Sequence, residues 1–418
     1  MLKMKSIDDF DYSGKTVLLR IDINSPIDKK TKRIVNHNRI QKSIPTIRKI
    51  LDQKARLAII AHQGDTLDYQ NLIPMTEHAH QLSIFLGEEV HYIDDVAGPA
   101  AQERIKLLQP GQALLLGNLR YLSEEISTFE DAVKLHPEEM LDTYLVRGLA
   151  PIVDCYVNDA FAAAHRNAPS MVAFQEIKPT AAGDLMLNEV TALNELMVSP
   201  DHPCVFVLGG AKISDAFGMM RRILESGTAD SVLSCGITGE IMLLAKGVAL
   251  GATKERFIKD HGLEVFIPEA STFLQNHPDR ILFPADLAYS AGGTRREVSV
   301  RDLPLDEMFM DIGSETIQKY TAVISQAKTV FINGPPGAYE DQLFEKGTGA
   351  VLDAIASCSG YTVIGGGDTV AAATRFMDLN DINYVCTAGG AMVRFISGMT
   401  LPLIQAMEKA YLRDQGTS

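Results

Sequence analysis

Four short apolar runs in the second half of the chain end in loops rich in glycine. Cys204 to Leu208 leads into Gly209-Gly210-Ala211-Lys212, and Val330 to Ile332 leads into Asn333-Gly334-Pro335-Pro336-Gly337. Thr362 to Ile364 leads into Gly365-Gly366-Gly367-Asp368-Thr369, and Tyr384 to Cys386 into Thr387-Ala388-Gly389-Gly390. Glycine lets the backbone approach a ligand closely, and a helix that starts just after presents unpaired N–H groups and its positive dipole end to an anion. One such loop is an ordinary tight turn; four on one sheet, Gly366 and Gly367 among them, are phosphate-binding architecture. Lys212, where a glycine loop meets a helix, is placed to aim charge at a transferring phosphoryl group. Asp368 either caps the helix that follows it or holds Mg²⁺ beside bound phosphates.

Two familiar nucleotide signatures fail. Ser13-Gly14-Lys15-Thr16 resembles the end of a Walker A loop, but the residue five before Gly14 is Asp9 and a strand follows. Gly365-Gly366-Gly367-Asp368-Thr369-Val370 has Val370 where a dinucleotide fingerprint needs Gly or Ala, which disfavours hydride chemistry.

The first half offers the complementary chemistry. In Arg20-Ile21-Asp22-Ile23-Asn24-Ser25-Pro26 the polar residues fall at alternate positions, on one face of a strand that Pro26 ends. Arg20, Asp22 and Asn24 inside an apolar strand are costly unless they bind a ligand or, as a buried Arg20–Asp22 ion pair, each other. Arg39, His62, Arg120 and, after Tyr156 to Phe161, His165 and Arg166 gather at further strand ends and loops. Such a concentration in an acidic protein argues for a bound phosphate or carboxylate. Phosphate cradles in one half and an arginine pocket in the other are the equipment of a kinase for a small phosphorylated or carboxylated substrate, with a hinge between the halves.

The elements that must position these residues are short Val-, Ile- and Leu-rich runs alternating with stretches of helical period: Thr16 to Ile23, Arg56 to Ala61, Ala113 to Leu116, Cys204 to Leu208, Thr329 to Ile332, Thr362 to Ile364 and Tyr384 to Cys386. Continuous apolar strands with helices between them mean parallel sheets covered on both faces. The expected class is α/β, two Rossmann-like parallel-sheet domains joined by a hinge helix. The helical segment Leu185 to Met197, bracketed by Pro179 to Gly183 and by Ser199-Pro200-Asp201-His202-Pro203, marks the connector. We therefore expect domains at 1–183 and 199–399, an interdomain helix at 184–198, and residues 400–418 packed back on the first domain.

With 418 residues the chain is long enough for two or three domains at about 150 residues each. Lys plus Arg is 39 and Asp plus Glu is 53, a net charge of −14 that repels nucleic acid and anionic membranes. The cysteines Cys155, Cys204, Cys235, Cys358 and Cys386 are widely spaced in apolar stretches and read as buried thiols. The first residues turn acidic before an apolar segment forms, and no apolar run approaches ~18 residues, so the expected location is the cytoplasm. The expected partners are small molecules, and the chain is expected to act as a monomer or a homodimer.

Taken together, Leu19-Arg20-Ile21-Asp22-Ile23-Asn24-Ser25-Pro26, Tyr156 through Arg166, Gly209-Gly210-Ala211-Lys212, Asp311-Ile312-Gly313, Asn333-Gly334-Pro335 and Gly365-Gly366-Gly367-Asp368-Thr369 resemble the phosphoglycerate kinase family, in order and over nearly the whole chain. Ala61-His62-Gln63 and Asn158 through Arg166 are most similar to its archaeal-type branch. The resemblance implies that the first domain binds 3-phosphoglycerate through Asp22, Asn24, Arg39, His62, Arg120 and Arg166. It implies that the second binds MgADP or MgATP: Gly210, Ala211 and Lys212 face the phosphates, Asn333, Pro335, Gly337 and Glu340 border the nucleotide, and Asp368 and Thr369 take the metal and phosphate end. The implied reaction is reversible phosphoryl transfer between ADP and 1,3-bisphosphoglycerate, with Arg39 and Lys212 neutralising charge on the phosphoryl group. The sequence departs from the family pattern at Asp65, where an arginine for the substrate phosphate is expected, and at Gly117, Ala216 and Ala388.

Overall fold

The computed structural model describes residues 3–64, 72–386 and 388–416. The chain divides into two compact units, Met1–Val190 with Thr400–Ser418, and Thr191–Met399.

The first unit is built on a six-stranded sheet of β1 (Thr16–Ile21), β2 (Arg56–Ile60), β3 (Val90–Tyr92), β4 (Ala113–Leu115), β5 (Cys155–Asp159) and β6 (Thr180–Ala182). Its order is β3-β4-β2-β1-β5-β6 and every pairing is parallel. All six residues of β1 are buried, which is why it reads as an unbroken apolar run rather than as an alternation. Val17, Leu19, Leu57, Ile59 and Val157 are fully buried in the core on one side of the sheet. The order reverses between β1 and β5, so the loops after these strands bound a crevice of the kind in which open α/β sheets bind ligands.

The second unit carries β7 (Cys204–Leu208), β8 (Ser231–Ser234), β9 (Ile281–Leu282), β13 (Thr329–Asn333), β14 (Tyr361–Gly365) and β15 (Tyr384–Val385), in the order β15-β14-β13-β7-β8-β9, again all parallel. In register, Leu208 lies beside Asn333 and Asn333 beside Gly365, which sets three of the glycine loops side by side. The second unit also holds a small antiparallel sheet absent from the sequence reading: β10 (Asp286–Ala291), β11 (Thr294–Ser299) and β12 (Asp311–Ile312), ordered β11-β10-β12. Its hairpin turns on Gly292 and Gly293, both at positive φ. Strand β11, Thr-Arg-Arg-Glu-Val-Ser, has no apolar run for a hydrophobic pattern to report.

Helix Asp184–Val198 spans the division between the units. At its root Asp184 accepts from Lys49 Nζ at 2.8 Å, and the Met186 N–H donates to Asp159 Oδ1 at 2.9 Å. The last helix, Pro402–Gly416, belongs to the first unit, where Arg413 donates to the carbonyls of Gln175 at 2.5 Å and Lys178 at 3.0 Å. None of the five cysteines is in a disulfide, and four of them are buried. No helix among the described residues is long and apolar enough to cross a membrane.

Candidate active site

In the first unit the parallel ladder of β1 stops at Ile21, two residues short of the expected end, because its neighbours β2 and β5 stop at Ile60 and Asp159. Asp22 and Asn24 are therefore loop residues rather than members of one strand face. The loop is held by its own polar groups: Asp22 Oδ1 accepts from the Asn24 N–H at 3.2 Å, and Asn24 Oδ1 accepts from the Gly64 N–H at 3.0 Å. Asp22 Oδ2 accepts from Arg39 Nη1 at 2.5 Å. That arginine stands in the first turn of helix Asn38–Asp52.

The Arg20–Asp22 ion pair does not form. Arg20 is 3 % exposed; Nη1 donates to the Ile21 carbonyl and Nη2 to His62 Nδ1, the latter at 2.9 Å. It lies against His62, its side chain kept inside the protein by its place in a fully buried strand.

Arg120 Nη1 donates to the Glu125 carbonyl at 2.5 Å, and Arg166 Nε donates to Glu130 at 2.6 Å. The buried Glu125 carboxylate accepts from the N–H and hydroxyl of Ser170 at 2.7 and 2.6 Å. Burial pushes the pKa of His62 well below its ordinary value, with Arg20, Arg120, Arg166 and Arg39 pushing the same way. Burial likewise raises Glu125, opposed by Ser170, Arg20 and Arg120. The structure thus brings Asp22, Asn24, Arg39, His62, Arg120 and Arg166 together at the carboxyl end of one sheet.

Three residues the sequence reading passed over hold this end in shape. Gln63 accepts from the Ser25 N–H and donates to the Ser25 carbonyl, both at 2.9 Å. His78 Nε2 lies 2.8 Å from the same Gln63 Oε1, and Asn118 pairs with the Gln63 backbone in both directions. No spacing motif announces this network, since its members come from three separate segments. Glu125 sat in an acidic stretch that reads as a solvated surface.

In the second unit the glycine loops pack against one another. The Gly209 N–H donates to the Asn333 carbonyl at 3.0 Å, the Gly210 N–H to the Pro335 carbonyl at 2.9 Å, and the Gly334 N–H to Thr369 Oγ1 at 2.7 Å. Gly334 has φ +87°, and a Cβ there would lie 2.1 Å from the Gly209 carbonyl oxygen. Beside these loops opens a cavity of about 520 Å³ lined by Gly210, Ala211, Pro335, Gly337, Glu340 and Asp368, with Leu287, Met308 and Phe309 among its apolar groups. Lys212 lies just outside it, exposed, at the start of helix Ile213–Glu225. Asn333, Gly366, Gly367 and Thr369 are also outside the lining; Thr369 is buried and ties the loop after β14 to the loop after β13.

The N-cap of helix Gly367–Phe376 is Gly366, which leaves Asp368 inside the first turn with no capping bond. Its exposed carboxylate at the cavity rim fits a divalent cation held mainly by phosphates. Among the described residues no cluster of three or more carboxylate, His or Cys groups forms an all-protein cage. A pair that the sequence reading missed, Lys254 and Glu240, also lines the cavity, with Nζ 2.8 Å from Oε1 and both side chains 5 % exposed. The signal was available: Glu240 is the lone acid in an apolar helix, Gly236–Ala245.

The departures from the family pattern have local reasons at two positions. A Cβ on Gly117 would sit 3.1 Å from the Asp95 backbone nitrogen, and Ala216 is 1 % exposed, facing a core that a lysine could not enter uncompensated. Ala388 is a fully buried residue at the start of helix Gly389–Ile396. Asp65 and Thr387 lie outside the described residues.

Two parallel-sheet units, one with a basic pocket and one with phosphate-type loops around a cavity, define a phosphotransferase. Residues 7–399 match the family profile described as phosphoglycerate kinase, and the chain belongs to that family. It is 40% identical over 413 residues to the phosphoglycerate kinase of Methanothermus fervidus, covering 99% of each chain, and 37% identical over 418 residues to that of Sulfurisphaera tokodaii, covering 100% of this chain and 99% of the other. The crystal structure of phosphoglycerate kinase from Pyrococcus horikoshii superposes with a TM-score of 0.87 at 36% identity, over 98% of this chain and 100% of that one. The structure of the Coxiella burnetii enzyme gives 0.82 at 28% identity, over 97% and 99%.

Proposed function

We propose that this chain catalyses reversible phosphoryl transfer between 1,3-bisphosphoglycerate and ADP, giving 3-phosphoglycerate and ATP. The first unit, in this reading, binds the acid through Asp22, Asn24, Arg39, His62, Arg120 and Arg166. The second unit binds the nucleotide: Gly210, Ala211 and Lys212 face the phosphates, Asn333, Pro335, Gly337 and Glu340 border the nucleotide beside the cavity, and the loop with Gly366, Gly367 and Thr369 takes the phosphate end. The observation that carries the reading is this cavity at the carboxyl ends of β7 and β13, apolar on one wall and bordered by glycine backbone on the other.

Each residue's contribution follows from its chemistry. Arginines grip phosphate and carboxylate oxygens with paired donors. Asp22 holds Arg39 in one orientation before the acid arrives, which limits the ordering cost of binding. Lys212 in the second unit and Arg39 in the first supply positive charge for the phosphoryl oxygens, where electrostatic stabilisation is the main catalytic means for this reaction. Asp368 would hold Mg²⁺, which when bound with the nucleotide neutralises phosphate charge. The reading places the protein in the cytoplasm, acting on small molecules. A coupled assay of purified protein with 3-phosphoglycerate, ATP and Mg²⁺ tests it: turnover of both substrates is expected, and undetectable turnover at saturating concentrations of each refutes it.

A further inference from the structure

A buried guanidinium is tolerated only when its donors are used and its charge is balanced. Arg20 has partners at both Nη atoms and balancing charge from within the protein, while its buried Nε has no partner among the described residues. Nη1 is taken by the Ile21 carbonyl and Nη2 by His62 Nδ1, and the charge is balanced by Glu125 and Asp22. Guanidinium has five N–H donors, no acceptor, and does not give up its proton in proteins. The atom it meets 2.9 Å away on His62 must therefore offer a lone pair. Nδ1 is bare, and the single proton of the neutral ring sits on Nε2, which makes no hydrogen bond within the described residues.

A second proton is kept off by the surroundings. Arg20 from β1, Arg39 from helix Asn38–Asp52, Arg120 from the short turn Leu119–Tyr121 and Arg166 from the segment after β5 all bear on the ring, and of the nearby acids Asp22 is engaged by Arg39, Glu125 by Ser170 and Glu130 by Arg166.

We propose that Arg20 is a positioning residue that locks His62 as a neutral imidazole donating its Nε2–H to the bound acid, within a cluster whose charge comes from the arginines. The proposal rests on the reading that this cluster binds 3-phosphoglycerate. A charged histidine would add attraction for any anion; a neutral, oriented N–H adds direction, selecting an oxygen at one position. Affinity for the acid is then insensitive to pH through the ordinary imidazole range.

Two-bond ¹H–¹⁵N correlation spectra of the full chain with ¹⁵N-labelled histidines, recorded without ligand from about pH 5 to 8, test this directly. His62, assigned by the signal lost in His62→Asn, should show the Nε2–H tautomer throughout; an Nδ1–H ring or a doubly protonated ring in that range overturns the proposal. Arg20→Met should release the ring to a tautomer mixture that titrates and should raise the KM for 3-phosphoglycerate about tenfold, the value of roughly one hydrogen bond to a charged group, with a smaller change in kcat. An unchanged His62 spectrum in that variant also overturns it, and if Arg20→Met does not fold the wild-type spectrum decides. An inactive protein with an Nε2–H ring refutes the functional reading alone. An active kinase with a charged His62 refutes this inference alone.

Discussion

Replacing Asp159 by Asn should shift the stability of the first unit in the variant's favour as pH rises from mild acid to mild alkali. Asp159 ends β5 fully buried, with Oδ1 accepting from the Met186 N–H at the root of helix Asp184–Val198 and Oδ2 without a partner. Burial pushes its pKa from 3.8 up to about 7, against the opposing effect of the Thr46 hydroxyl and the Met186 N–H and with a further push from Asp184. A carboxyl whose folded pKa is raised holds its proton in the native state after the unfolded chain has lost it. Its stabilising contribution is thus complete below about pH 4 and is lost as pH rises through about 7. A rise of about 3 units at about 1.36 kcal/mol each is a loss of about 4 kcal/mol.

Asparagine keeps the Oδ1 acceptor and cannot ionise, but it leaves a buried NH₂ unpaired at a cost of about 1–3 kcal/mol. About 1.6 kcal/mol of the wild-type loss is complete by pH 5, so the variant should be close to the wild type in stability near pH 5 and more stable by about 1–3 kcal/mol near pH 8. About 2.5 kcal/mol of the change falls between the two conditions, and at about 2–4 °C per kcal/mol for a unit of this size the difference in Tm swings by about 5–10 °C. The chain has no tryptophan, so unfolding is followed by circular dichroism. Every other titrating group, including Asp311 with its pKa raised to about 6 by burial, is common to both proteins and cancels in the difference. Parallel curves of Tm against pH for the two proteins would refute the reasoning.

Lys212→Ala should lower kcat by about 10² to 10³ while nucleotide affinity changes little; near-normal turnover removes Lys212 from the transition state. Asp368→Asn should abolish the Mg²⁺ dependence of nucleotide binding measured by calorimetry without lowering Tm, since the residue makes no capping bond. Lys254→Met leaves the Glu240 carboxylate buried and unpaired and should cost about 3–5 kcal/mol in chemical denaturation. Adding Glu240→Leu should recover most of that loss, and a double variant no more stable than Lys254→Met would show that the pair is not the cause.

The parallel sheets were legible in the sequence because strands buried on both faces leave continuous apolar runs, and β7 begins and ends where the pattern put it. Strand β11 left no such trace, since Val298 is its one apolar residue. Among polar residues the sequence told which stand at strand ends but not which way they turn. Arg20 was grouped with Asp22 and Asn24 by alternation, and the alternation ended with the ladder, at Ile21. The partners of a buried polar group come from distant segments, as Gln63, His78 and Asn118 do, and spacing along the chain carries no information about them.

The glycine loops of the second unit contain two contrasting kinds of glycine. At Gly334 and Gly366 the place of a side chain is already taken, by the Gly209 carbonyl and by Asn333 Oδ1. These loops brace each other from behind, so their shape is preorganised and little conformational entropy remains to be lost when a ligand arrives. At Gly367 and Gly389 nothing among the described residues lies within 4 Å of the missing Cβ and the backbone is not in the left-handed region. The protein's own packing gives no reason for glycine at either position. The space in front of them is open, wide enough for a group to approach the backbone more closely than a methyl would permit.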